Sequence, residues 1–133
     1  MNSRTDSRFT PDRSREIAGI MALGGRVRVG YPLWLRPLLR RGIVAITLGR
    51  TVYVSRALAL GGGDLLERTL RHELAHVRQV ARLGTIRFLI AYLKEYRQLR
   101  RQGLGPHDAY HAIGFEREAR LAERLPENTQ THV

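Results

Sequence analysis

The chain has 133 residues, 43% of them hydrophobic, and a formal net charge of +11 from 23 basic and 12 acidic residues. That length suits one compact domain with a single core. Cysteine is absent, which excludes disulfides and thiolate metal sites and leaves histidine and carboxylate as the available ligand types.

Residues 1–14 are polar and basic and are expected to form a disordered tail. Ile17 to Gly25 is the longest apolar run near the N-terminus. It is too short to span a membrane, follows Glu16, and leads to no convincing leader-peptide cleavage site. Cytoplasmic residence is therefore the expectation, with export by a non-classical route left open. Tyr31 to Arg41 holds Pro32, Trp34, Leu35, Pro37, Leu38 and Leu39. It reads as a short, proline-initiated amphipathic helix, packed on the domain in preference to lying on a membrane surface. Ile43 to Leu48 and Thr51 to Ser55 carry β-branched residues on either side of Gly49-Arg50 and predict a hairpin. Such a hairpin can close one side of the core and can also offer a strand edge to an extended peptide.

The next segment carries the strongest chemical signal, His72-Glu73-Leu74-Ala75-His76. Gly61-Gly62-Gly63 precedes it, Asp64 is the expected N-cap with Glu67 three residues on, and Gly84 fits the stop. On a helix, residues four apart share a face, so His72 and His76 can aim both imidazoles at one metal ion. Glu73, one step round, can reach a water at that metal. Two nitrogen ligands, an open coordination position and a nearby general base are the parts of a zinc peptidase site. Leu70, Leu74, Val77 and Ala81 form a stripe expected to face the core. His72, His76 and Gln79 fall nearly opposite, and Arg71, Arg78 and Arg82 make a third, basic face expected to meet solvent.

Ile86 to Arg101 predicts a further helix, with Phe88, Leu89, Tyr92, Leu93, Tyr96 and Leu99 as a wide core-facing band. A loop with Gly103, Gly105 and Pro106 leads to His107, Tyr110 and His111, and Phe115 opens a last helix that runs to about Leu125 and ends at Pro126. The expected organisation is a domain over 15–126 flanked by tails at 1–14 and 127–133.

A catalytic zinc needs three protein ligands. The pattern H-E-x-x-H-x-x-G-x-x-H is excluded, because Gln79 and Arg82 stand where it needs Gly and His. The remaining candidates are His107, His111, Glu116 and Glu118. Glu116 and Glu118 lie about 200° apart on their helix, so only one can face the metal, and this geometry does not choose between them.

His72-Glu73-Leu74-Ala75-His76-Val77-Arg78-Gln79, followed by Phe115-Glu116-Arg117-Glu118-Ala119, resembles the gluzincin group of zinc metallopeptidases. The likeness is strongest to small bacterial minigluzincin-type domains, including the DUF4157 group with its H-E-L-x-H-x-x-Q signature. The second segment is also similar to the E-x-E-A-D motif of membrane-linked zinc peptidases, although Arg120 stands where that motif has Asp. The resemblance spans roughly Gly42 to Leu125. It implies an α+β, mainly helical, zincin-like fold, with a small hairpin or sheet before the motif helix and a later helix bearing the third ligand. It further implies one zinc ion per chain, held by His72, His76 and Glu116, with Glu118 as a supporting acid and a peptide or protein as substrate. Glu73 is then the general base, and Tyr110 or His111 could donate a hydrogen bond to the oxyanion.

The charge is uneven. Residues 1–63 hold 11 basic and 3 acidic groups and residues 64–133 hold 12 and 9, with Lys94 the only lysine. Such a balance favours an anionic partner, a nucleic acid or an acidic membrane surface. Two alternatives to a simple peptidase follow: a metal-containing binding or assembly component without catalysis, and a nucleic-acid-associated protease.

Overall fold

A computed structural model describes residues 15–39 and 42–124. The expected tails, and the end of the last helix at Leu125 and Pro126, lie outside those residues. In chain order the elements are α1 (Arg15–Ala22), β1 (Arg26–Val29), a 3-10 turn (Arg36–Leu38), β2 (Ala45–Leu48), β3 (Thr51–Val54), α2 (Arg56–Gly61), α3 (Gly63–Leu83), α4 (Thr85–Arg101), α5 (Pro106–Ala112) and α6 (Gly114–Arg124). The architecture is α+β and mainly helical, with one small sheet.

The sheet order is β1-β3-β2, with β1 parallel and β2 antiparallel to β3. The expected hairpin forms around Gly49-Arg50, and Gly49 takes the positive φ of 61° that a tight, glycine-led turn needs. β1 adds a third strand that the short alternation Arg26-Val27-Arg28-Val29 signals only weakly. β2 is left at the edge.

α3 is the axis of the fold. Its face bearing Leu70, Leu74 and Val77 is fully buried against Ile17 and Ile20 of α1, Val52 and Val54 of β3, and Leu58 of α2. Each such side chain contributes roughly 1.5–3 kcal/mol by leaving water. The opposite side of α3 is covered by α6, its most extensive helical neighbour, so the helix is buried on two sides.

Three local expectations are corrected. Asp64 is not the N-cap: Gly62 holds that position with φ 58° and ψ −151°, a conformation that only glycine adopts easily, and Asp64 falls in the first turn. Arg71 does not belong to a solvent face. Its guanidinium lies 3.6 Å from the Glu16 carboxylate and donates at 2.8 Å to the Glu123 carbonyl. Among the described residues of the expected helix, 31–39, no α-helix forms, because Pro37 lacks the N–H that a helix begun at Pro32 would need there; only the 3-10 turn results, with Leu35 buried and Leu33 and Trp34 exposed.

The helix α4 also differs from its expected role. It forms over the predicted span, yet no residue of it is fully buried, and Leu89 and Leu93 point outward. Only the side carrying Phe88, Tyr92, Tyr96 and Leu99 packs inward, to half-burial. Periodicity identifies an apolar band but does not say whether another element covers all of it.

Candidate metal centre

Because α6 lies along the His72–His76 side of α3, a carboxylate in the first turn of α6 reaches both imidazoles. Nε2 of His72 is 3.0 Å from Glu116 Oε2, Nε2 of His76 is 3.2 Å from the same oxygen, and the two Nε2 atoms are 3.2 Å apart. His72, His76 and Glu116 form a group that could hold a metal ion, with ligand atoms all within 4.8 Å of one another. Three donors tetrahedrally arranged at about 2.05 Å from zinc would be separated by roughly 3.3 Å. The spacings found here fit that requirement.

The outer nitrogens explain why the inner ones converge. His76 Nδ1 lies 2.9 Å from Oε1 of Gln79, whose Nε2 donates at 3.0 Å to the Phe115 carbonyl. That second bond fixes the amide orientation, so Oε1 must be the atom facing His76. His72 Nδ1 lies 3.3 Å from a carboxylate oxygen of Glu123. Both partners are acceptors, so each neutral ring carries its proton on Nδ1 and turns the Nε2 lone pair inward. Two lone pairs and a carboxylate then meet at one buried point, an arrangement that calls for a cation.

In metal-free protein a proton serves. Burial opposes a charged His76, but the hydrogen bond and charge of Glu116 prevail and push its pKa up to about 9. Burial likewise opposes the Glu116 carboxylate, and the bonds from His72 and His76 overcome it and hold its pKa far below the usual range. The Tyr92 hydroxyl donates at 2.9 Å to Oε1 of Glu116, while Oε2 lies nearest His72 and His76 Nε2 sits 3.2 Å from both oxygens. Burial, and then the Glu116 charge, raise the pKa of both Tyr92 and Tyr110, so both phenols stay protonated donors.

Glu73, one step round α3, accepts a hydrogen bond at Oε2 from the Thr47 hydroxyl of edge strand β2, and its charge still acts on His76. The base candidate is thus tethered between the motif helix and a strand that, among the described residues, ends the sheet. α6 is held at both ends: Glu95 of α4 accepts the Gly114 N–H at 3.0 Å, and Arg71 bonds the Glu123 carbonyl. Phe88 and Phe115, with ring centroids 4.9 Å apart, wall the cluster beside His76.

The other candidates are placed elsewhere. Glu118 is exposed and supports no histidine; the acid on the cluster side of α6 is Glu123, seven residues after Glu116 and so on the same face. His107 and His111 pack on one another at 4.3 Å, outside the metal group, while Tyr110 lies close enough to Glu116 to feel its charge. Thr47, Tyr92, Glu95 and Glu123 are the participants that motif reading missed; only Glu123 had a sequence signal, its i+7 spacing. Comparison of the chain with protein-family models, curated proteins and solved structures finds no match.

Proposed function

We propose that this protein is a zinc-dependent metallopeptidase of gluzincin type on a zincin-like fold. One observation carries the reading: His72, His76 and Glu116 converge while Glu73, on the same helix, is held by Thr47 of the strand that ends the sheet among the described residues. A purely structural metal site has no use for that base. When bound, zinc supplies Lewis acidity, polarising a carbonyl and lowering the pKa of water toward neutrality.

The chain's own groups do the rest. β2, which ends the sheet among the described residues, offers its outer backbone edge to an extended peptide, which sets the scissile bond beside Glu73. Thr47 fixes one oxygen of the Glu73 carboxylate; the carboxylate takes the proton of the attacking water and delivers it to the leaving amine. Tyr110 donates its O–H to the oxyanion as the carbonyl becomes tetrahedral. Tyr92 and Gln79 keep the ligand set oriented throughout.

Metal content by mass spectrometry on untagged protein, with peptidase assays of three variants, tests this reading. Wild type should carry about one zinc per chain, and Glu73→Gln should keep it while losing about 100-fold or more in turnover. His72→Ala and Glu116→Ala should lose both metal and activity. A wild type that takes up no zinc, or a Glu73→Gln variant as active as wild type, overturns it.

A further inference from the structure

The outward side of α4 takes no part in the metal site. At about 100° per residue, Phe88, Tyr92, Glu95 and Leu99 share the inward side, and Ile86, Ile90, Leu93, Arg97 and Arg101 share the outward one. Four aliphatic side chains on that side are in water: Ile86 is 73% exposed, Ile90 60%, Leu89 52% and Leu93 49%. They stand at i, i+4, i+3 and i+7 and make one continuous stripe, where isolated exposed apolar residues would need no explanation. Toward the C-terminus the stripe continues as Arg97 and Arg101, with Lys94 and Arg100 beside it, all exposed. The one acid of α4, Glu95, is turned inward and spent on the Gly114 N–H. The outward side is therefore aliphatic at one end with Arg87 at its margin, cationic at the other, and free of acid along its length.

These two halves select the occupant. A nucleic acid would neutralise the cations and leave four aliphatic side chains in water. A second copy of α4 would cover the aliphatic stripe while bringing further arginines to it and no carboxylate. A bilayer bearing anionic headgroups meets both halves: the aliphatic side chains enter the boundary between headgroups and acyl chains, and lysine and arginine reach to the phosphates. No helix among the described residues is long and apolar enough to cross a membrane, so contact would be peripheral.

We propose that the outward side of α4 docks on a membrane surface rich in anionic phospholipid. Phe88 and Tyr92, on the inward side of the same helix, would then hold the metal cluster about one helix diameter, roughly 10 Å, from the lipid. The docking does not depend on the peptidase reading.

Co-sedimentation of the full chain with vesicles tests it, comparing pure phosphatidylcholine with phosphatidylcholine containing phosphatidylglycerol. The protein should bind the mixed vesicles, bind neutral ones far more weakly, and release as salt rises. Replacing Lys94, Arg97 and Arg101 together by Gln should lower partitioning on the order of 100-fold, from about fivefold per cation. Ile90→Ser with Leu93→Ser should lower it about tenfold or more, with circular dichroism unchanged. Ile86→Ser with Leu89→Ser repeats that test on the same stripe should the first pair unfold. Absence of binding to mixed vesicles, equal binding to neutral ones, or apolar variants that bind like wild type would overturn the proposal. So would a dimer in sedimentation equilibrium that the serine pairs dissociate, or tight duplex DNA binding lost in the charge variant with vesicle binding intact.

Discussion

Protons and a divalent metal ion should compete for the point where His72, His76 and Glu116 converge. The pKa of His76 rises from its ordinary 6.5 to about 9 in the metal-free fold, because the bond to and charge of Glu116 outweigh burial. That difference is worth about 3 kcal/mol of folding stability. The pKa is raised, so this stability is fully present below pH 6.5 and is lost as pH climbs through about 9. The depressed Glu116 is the other half of the same interaction; its contribution holds above the ordinary carboxylate range and fails only in strong acid. Urea unfolding of metal-stripped protein should therefore show a midpoint that falls by roughly 1–3 M between pH 6 and pH 10. Metal uptake has the opposite slope. Binding expels the His76 proton, so zinc affinity measured by chelator competition should rise about tenfold per pH unit until that proton is already gone. A stability profile that is flat between pH 6.5 and 9, or a zinc affinity that does not change over that range, would refute the shared site.

The hydrogen bonds behind the ligands give two further tests. Gln79 is 1% exposed, so Gln79→Leu keeps most of the volume but strands the His76 Nδ1–H and the Phe115 carbonyl. At about 1–3 kcal/mol for each unsatisfied group, the loss should be roughly 2–6 kcal/mol in urea unfolding, with zinc affinity down about 10–100-fold. Glu123→Ala removes the carboxylate 3.3 Å from His72 Nδ1 and should weaken zinc about tenfold by chelator competition, whereas Glu118→Ala should not.

How much of this was legible in the sequence depends on which periodicity carried it. The motif helix was readable because Leu70, Leu74 and Val77 repeat at helical spacing and His72 and His76 share a face. The hairpin was readable because β-branched residues flank Gly49-Arg50. The third strand was not, since four residues of alternating Arg and Val fit an exposed loop equally well. α4 was over-read for a related reason. Its apolar residues run more than halfway round the helix, and burial of the far half depends on a covering element whose presence one helix cannot reveal.

The cluster itself shows where reading a motif stops and packing begins. His72, Glu73 and His76 are fixed relative to one another by four residues of helix, so their spacing alone specifies their geometry. Glu116 becomes a partner only because α6 crosses α3 at that turn, and the crossing is set by residues outside any motif: Glu95 at one end of α6, Arg71 at the other. The same crossing decides between acids. Once Glu116 faces the histidines, the residue seven further on must face them too and the residue two further on must not, so Glu123 approaches His72 Nδ1 and Glu118 meets solvent. Gln79 follows the same logic on α3. It lies three residues beyond His76, near enough to accept from its ring, and only the Phe115 carbonyl of α6 turns its oxygen the right way. The polar residues that orient the ligands are thus properties of the α3–α6 interface, and substitutions there should disturb metal affinity and folding together.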